Sequence, residues 1–340
     1  MRSFEIKKRC RPKGKRRHLW VDKKLIPGRL PAALLAAGIF IWTNVSAQFD
    51  SRNSNYFDSP WEIFAGISPG AMNCLTDIGG REGRGSAFLK DLCLRSSQPA
   101  AGIYLGVRRS DILWMRLEIN RGSLSGEDSI LQQAAPGSYG RYTRNLHFRT
   151  AITEALLIGE CYLLNLLALR KNSLQGAEES DQSERATAFV HPYLLGGIGL
   201  FHFNPRAMLG EAWFFLHEFH TEGQGFKEYK GRKNYSLLQC HIPIGLGLRF
   251  RISQKWNAGF ELVYRLLFTD YLDDTSASYI DPENFYKNFP PQKAAIAEAL
   301  ADRRKPGSAT LTGTTIRGNP SKNDAYLSAM LKINMNLRSD

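Results

Sequence analysis

"YLSAMLKINMNL", residues 326–337, decides the fold. Leu327, Ala329, Leu331, Ile333, Met335 and Leu337 take every second place, and Ser328, Lys332, Asn334 and Asn336 fill the places between. Side chains alternate across an extended strand, so this segment has one apolar face and one polar face. "ILWMRLEIN" (112–120) repeats the pattern, with Leu113, Met115, Leu117 and Ile119 set against Trp114, Arg116, Glu118 and Asn120. "WNAGFELVYRLLFT" (256–269) sets Ala258, Phe260, Leu262, Tyr264, Leu266 and Phe268 against Asn257, Gly259, Glu261, Arg265 and Thr269. The alternation suits a soluble sandwich, whose polar face meets water. It suits equally a barrel in an outer membrane, whose apolar face meets lipid and whose polar face lines the interior.

Strand number and connection length favour the barrel. Strands are expected near 61–72, 99–108, 112–121, 146–165, 187–203, 235–252, 255–271 and 325–337. Several reach the ~9–11 residues that a tilted strand needs to cross a bilayer. The connections at 109–111 and 253–255 are tight and that at 166–186 is intermediate. Those at 73–98, 122–145, 204–234 and 272–324 are long. Short turns on one rim and long loops on the other mark an outer-membrane barrel. The fold class is therefore all-β, a small antiparallel outer-membrane β-barrel of about eight strands with its long loops on one rim. "EALLIGECYLLNLLALR" (154–170) reads as a strand with a bulge near Thr153, although its leucines would also suit a buried helix. Gly-rich segments such as "PYLLGGIGLF" leave room for lumen side chains. Inside so narrow a barrel, Glu261 and Arg265 are expected to pair with Arg116 and Glu118, which fills the interior and argues against an open pore.

The formal charge of +13 is concentrated at the N-terminus: residues 1–47 carry 12 Lys and Arg against two acids. The rest holds 33 basic and 30 acidic residues, so no nucleic-acid partner is expected. A basic run, an apolar core at Leu30–Trp42 and Val45-Ser46-Ala47 have the layout of a signal peptide cleaved between Ala47 and Gln48. The organisation is thus a signal at 1–47 and a barrel domain at 48–340, with outer-membrane lipid as its surroundings. In the exported part, Cys74 and Cys93 fall in one loop and can pair outside the cytosol, whereas Cys161 and Cys240 sit in apolar runs as small packed side chains.

No motif points to catalysis, metal or cofactor. His217 and His220 are three apart, where a zinc-protease helix needs four. "FTDYLDDTSASYIDPE" (268–283) carries Asp270, Asp273, Asp274 and Asp281, but an EF-hand beginning at Asp270 would meet Leu272 and Thr275 where it needs a ligand and a glycine. A looser calcium site stays open. The plainer reading is that Phe268 ends a lipid-facing strand and the aspartates begin a solvated loop. His147, His191, His202 and His241 lie in or near strands, yet no spacing ties one of them to a serine such as Ser236. "QKAAIAEALADRRKPG" (292–307) predicts a short helix after Pro290-Pro291.

Six stretches taken in order, "GAMNCLTDI" (70–78), "RNLHFRT" (144–150), "TEGQG" (221–225), "PIGLGLRF" (243–250), "FTDYLDD" (268–274) and "RGNPSKNDAYL" (317–327), resemble the PorG-like outer-membrane barrels of the Bacteroidetes type IX secretion machinery. The resemblance implies a non-enzymatic anchoring role that links a periplasmic ring to the outer membrane through a ring lipoprotein. It marks Thr221, Glu222, Gly223, Gln224, Gly225, Asp270, Tyr271, Asp273 and Asp274 as family-signature loop positions rather than ligands. The alternatives at this point are a passive outer-membrane channel and a membrane-embedded lipid hydrolase or acyltransferase.

Overall fold

The computed structural model describes residues 62–79, 93–109, 112–133, 139–164, 167, 190–253, 255–305 and 315–337. They all lie in one compact unit, Pro60–Asp340. The expected signal segment, with Ala47 and Gln48, lies outside the described residues.

Eight strands close on themselves. They are β1 (Glu62–Leu75), β2 (Gln98–Arg108), β3 (Leu113–Glu127), β4 (His147–Tyr162), β5 (Val190–His202), β8 (Leu238–Arg251), β9 (Trp256–Leu267) and β10 (Ala325–Asn336). The order β3-β2-β1-β10-β9-β8-β5-β4 is completed by pairing of β3 with β4, and every pair is antiparallel. Closure leaves no bare edge in the barrel wall, as a strand protein in hydrocarbon requires. The remaining hairpin, β6 (Arg206–Leu209) and β7 (Ala212–Phe215), prolongs the wall above the point where β5 ends. There Arg206 of β6 faces Arg149 of β4.

The apolar face predicted for each strand points outward. Ile103, Leu105, Leu117, Ile119, Ile198, Leu246 and Leu331 are exposed large apolar residues. An exterior of this kind is unstable in water and suited to lipid. Cys161 and Cys240 belong to this face: the former is half-buried and the latter exposed, so neither is the packed core residue expected from its apolar neighbours. Inward-facing glycines leave space for large lumen groups. A β-carbon on Gly247 would collide with the Tyr193 ring, and one on Gly199 with His241.

Two expectations need correction. No bulge interrupts β4 near Thr153, because the β3–β4 register runs without a break from Leu113↔Cys161 to Glu127↔His147. The helical tendency of the leucine run asserts itself only beyond Tyr162, where the strand ends. Cys74 and Cys93 are both free thiols. Cys74 faces inward and donates to the Ser125 carbonyl at 3.0 Å, whereas the Cys93 carbonyl accepts from the outward-facing Asn73 at 2.7 Å. The alternation of β1 therefore puts the two cysteines on opposite sides of the wall.

If the outer band faces lipid, L117R should cost about 2–4 kcal/mol. Denaturant unfolding of the vesicle-inserted protein checks this, and an unchanged midpoint would count against the band.

Candidate functional site

The barrel interior is built in layers from inward-facing positions. Nearest the rim of short turns, Arg249 is enclosed by aromatic rings, its guanidinium 3.9 Å from the Trp114 centroid and 5.4–5.6 Å from those of Tyr162, Tyr193 and Phe64. Such stacking offsets part of the cost of removing the cation from water. In the next layer Arg116 donates to Glu118 and Glu261, each at 2.8 Å, and to Glu160. Lys332 donates to Glu118 at 2.5 Å and lies 3.4 Å from Glu261. Glu160 also accepts from Tyr162 at 2.8 Å and from Arg249 at 3.0 Å. Above these, Arg265 donates to Glu154 at 2.7 Å, and Tyr326 and Asn120 donate to the same carboxylate.

Four cations, Arg116, Arg249, Arg265 and Lys332, thus meet four carboxylates, Glu118, Glu154, Glu160 and Glu261. None of these side chains is more than 6 % exposed. The sequence located Arg116, Glu118, Glu261 and Arg265 but not all of their partners. Arg265 pairs with Glu154, not with Glu118. Glu154 and Glu160 went unrecognised because "EALLIGECY" shows less contrast between its faces than the other strands. Their even-numbered spacing with Leu156 and Ile158 was the available signal.

The opposite mouth is closed by a folded cap. Its pieces are the end of β1 and the residues to Gly79, a 3₁₀ turn at Asp128–Gln133 and α1 (Tyr139–Arg144). To these are added residues 203–237 with the β6–β7 hairpin, and residues 268–305 and 315–324 with α2 (Glu283–Asn288) and α3 (Pro291–Ala301). The predicted helix is α3, which begins at Pro291. Its missing N–H costs nothing in a first helical turn. Ala294, Ala297 and Leu300 of α3, with Phe219, Phe226 and Phe285, share one apolar core with Met72, Phe148, Phe201 and Met330 of the barrel. Cap and wall are one packed body.

The expected solvated loop is instead the floor of this cap: Asp273 and Asp274 are fully buried and Asp270 nearly so. The cause is a set of partners far away in sequence. Asp273 accepts from the Ile78 and Thr275 amides, each at 2.9 Å. Asp274 accepts from Tyr235 at 2.7 Å and from Thr221, which hold it at φ 64°, a left-handed conformation uncommon outside glycine. Glu222 accepts from the Ser276 and Ala277 amides at 3.1 and 2.9 Å and from Arg317 at 3.0 Å. Arg317 also donates to the Asp274 carbonyl at 2.7 Å. The Gln224 side chain accepts from the Glu222 amide at 3.0 Å, and Gly223 and Gly225 supply two further positive-φ turns. Tyr271 stacks on Tyr235 with centroids 4.8 Å apart.

The floor has further members: Asp77, Arg144, Arg317, Asn319 and Asp324 from the resembling stretches, and Asp128 from outside them. Arg144 donates to both oxygens of Asp128 at 2.8 Å, to the Asp77 carbonyl at 2.7 Å and to the Arg317 carbonyl at 2.6 Å. Asp77 accepts from the Asn319 amide at 2.5 Å, and Asp324 from the Leu272 amide at 2.9 Å. Hence 70–78, 144–150, 221–225, 268–274 and 317–327 converge on one place, whereas 243–250 lies in β8. Their signal was the set of charged residues inside short apolar stretches, each needing a buried partner. His217 and His220 also lie in the cap, the former bonded to the Tyr235 carbonyl and the latter stacked on Phe289. Among the described residues no group of three His, Cys, Asp or Glu is placed to hold a metal ion.

The crowded acids hold protons strongly. Burial, with the nearby Asp273, Asp77 and Glu222, pushes Asp270 up to about 9. Burial takes Asp274 to about 6 even though Arg317, Thr221 and Tyr235 oppose the shift. Asp273 and Asp324 are raised by burial and by each other's neighbourhood of carboxylates, Asp77 included.

A closed wall with an apolar exterior, a neutralised interior and one capped mouth defines a small membrane-spanning β-barrel of the outer-membrane class. No protein-family model matches the sequence, and no curated protein does. Among solved structures, the chain is similar to Neisserial surface protein A, at 10 % identity and a TM-score of 0.33, covering 81 % of this chain and 97 % of that one. It is also similar to the outer membrane protein OprG from Pseudomonas aeruginosa (9 %, 0.30, 82 % and 97 %) and to Ail, the attachment invasion locus protein of Yersinia pestis (7 %, 0.30, 81 % and 96 %). At such scores the class rests on the chain's own strand pairing and outer face.

Two outcomes are expected. R116A leaves Glu118, Glu160 and Glu261 short of a shared cation and should cost about 3–5 kcal/mol, read as a lowered unfolding midpoint in detergent. For the cap, an acid whose folded-state pKa is raised contributes stability that is complete below its unfolded value and lost as pH rises through the folded one. Amide exchange at 269–278 should therefore quicken as pH climbs from 5 through 9, after correction for intrinsic exchange. D270N should remove the part of this change that continues up to about 9. Protection that grows with pH would contradict the assignment.

Proposed function

We propose that the chain is a non-enzymatic structural component of a protein secretion machine of the type IX kind, which anchors a periplasmic ring to the outer membrane through a ring lipoprotein. One observation carries the reading: five of the six stretches that resemble PorG-like barrels meet in the floor of the cap, where they bond to one another. Their shared role is then to specify a capped barrel. Thr221–Gln224, Asp270 and Leu272–Asp274 are buried, Tyr271 is half-buried against Tyr235, and only Gly225 is exposed, so these stretches serve architecture rather than partner recognition.

The signature stretches lie at the rim of long loops, away from the rim that a periplasmic partner would meet. In outer-membrane barrels the short turns are periplasmic and the long loops extracellular. A periplasmic ring therefore meets the rim of short turns, where Arg108 pairs with Glu62 and where Ile252, Ser253 and Lys255 are exposed. The capped rim faces outward. The filled interior suits an anchor better than a conduit, because the four ion-paired cations would have to leave their carboxylates to open a path.

Affinity purification of the tagged protein from solubilised envelopes is expected to bring down a periplasmic ring lipoprotein, and deletion of the gene to stop export of the machine's substrates. Normal secretion in the deletion strain would overturn the proposal. Planar-bilayer recordings should give no steady conductance; a stable open level would favour the passive channel.

A further inference from the structure

The outward face of the β6–β7 hairpin differs from the rest of the cap surface. Ala207 is buried and Phe214 packs against the shared core, so the alternate residues Arg206, Met208, Trp213 and Phe215 face out. Met208, Trp213 and Phe215 are each 41–43 % exposed, although they lie beyond the end of β5. The hairpin takes the place beside β4 that β5 vacates at Thr153↔His202, and so extends the lipid-facing wall upward. The Arg206 guanidinium stacks 5.0 Å over the Trp213 ring, and Arg303 donates to the Met208 carbonyl at 2.5 Å. Opposite Arg206 in the register stands Arg149, also outward and exposed. Like charges facing each other across a strand pair are destabilising. Neither arginine forms a salt bridge to a carboxylate among the described residues.

We infer that this face binds the phosphate-bearing headgroup of an anionic lipid in the surrounding leaflet. Arg149 and Arg206 hold the phosphate between them, while Trp213, Phe215 and Met208 rest on the upper acyl chains. Three features select a lipid. The face continues the apolar band without a change of wall, it combines aromatic groups with arginine as interfacial belts do, and its paired cations call for an anion. The inference rests on the band being lipid-facing and is separate from any role in secretion.

The test uses the full chain in vesicles of phosphatidylcholine and phosphatidylglycerol, extracted gently and weighed by native mass spectrometry with its retained lipids. Wild type is expected to prefer phosphatidylglycerol, and R149Q/R206Q to lose that preference roughly tenfold. R251Q, exposed on the opposite rim, is expected to keep it. Equal preference in wild type and R149Q/R206Q, or equal loss in R251Q, overturns the site. Displacement by millimolar inorganic phosphate overturns the lipid as its occupant. Retention of phosphatidylcholine by all variants shows that the lipid-facing band stands even where the site fails. A second arm needs no arginine variant: in brominated phosphatidylcholine vesicles, wild type should show quenching that W213F lacks. Quenching identical in the two would place the hairpin away from lipid and overturn the inference.

Discussion

Arg116 is the centre on which the interior depends. One guanidinium serves three glutamates, two of them on strands other than its own, and those glutamates in turn hold Lys332, Arg249, Tyr162 and Tyr193. In a wall whose outer face is committed to lipid, polar residues have only the lumen to occupy. The lumen is too narrow to hydrate them all. Charges can stay ionised there only if they are matched and bonded in detail. Equal numbers of cations and carboxylates satisfy that condition, and they fix the mutual register of β3, β4, β8, β9 and β10.

The cap obeys a different rule. Its floor has Arg144 and Arg317 among Asp77, Asp128, Glu222, Asp270, Asp273, Asp274 and Asp324, an excess of acid. Two resources compensate. Backbone amides of Ile78, Leu272, Thr275, Ser276, Ala277 and Asn319 point at the carboxylates. The remaining mismatch is relieved by protons, which is why Asp270, Asp273, Asp274 and Asp324 all shift upward. The lumen is therefore stabilised by matched ion pairs and the cap partly by neutral acids.

Much of the wall was legible in the sequence because a period of two survives wherever one face meets lipid and the other meets polar partners. The segments "ILWMRLEIN" and "YLSAMLKINMNL" give their inward and outward residues without error. β4 was harder, since Leu156 and Ile158 point inward beside Glu154 and Glu160 and blur the contrast. The cap was not legible as a body. No local period announces that Asp273 will meet an amide 195 positions earlier in the chain, or that Glu222 will meet Arg317. Resemblance marked those positions but gave no geometry. An acidic cluster after a strand reads as a solvated loop when only its neighbours in sequence are considered.

The cap floor also bears on how such a barrel is completed. β1 and β10 form the junction at which the ring closes, and the segments just beyond their upper ends are fastened together. The Asn319 amide bonds Asp77, Asp273 receives the Ile78 amide, and Asp324 ties the start of β10 to Leu272 and Thr269. The first two bonds reach the segment after β1, and the Asp324 bonds hold the start of β10 to the segment after β9. The floor thus acts as a buckle on the closing seam, fastening the segment that follows the first strand to the segment that precedes the last.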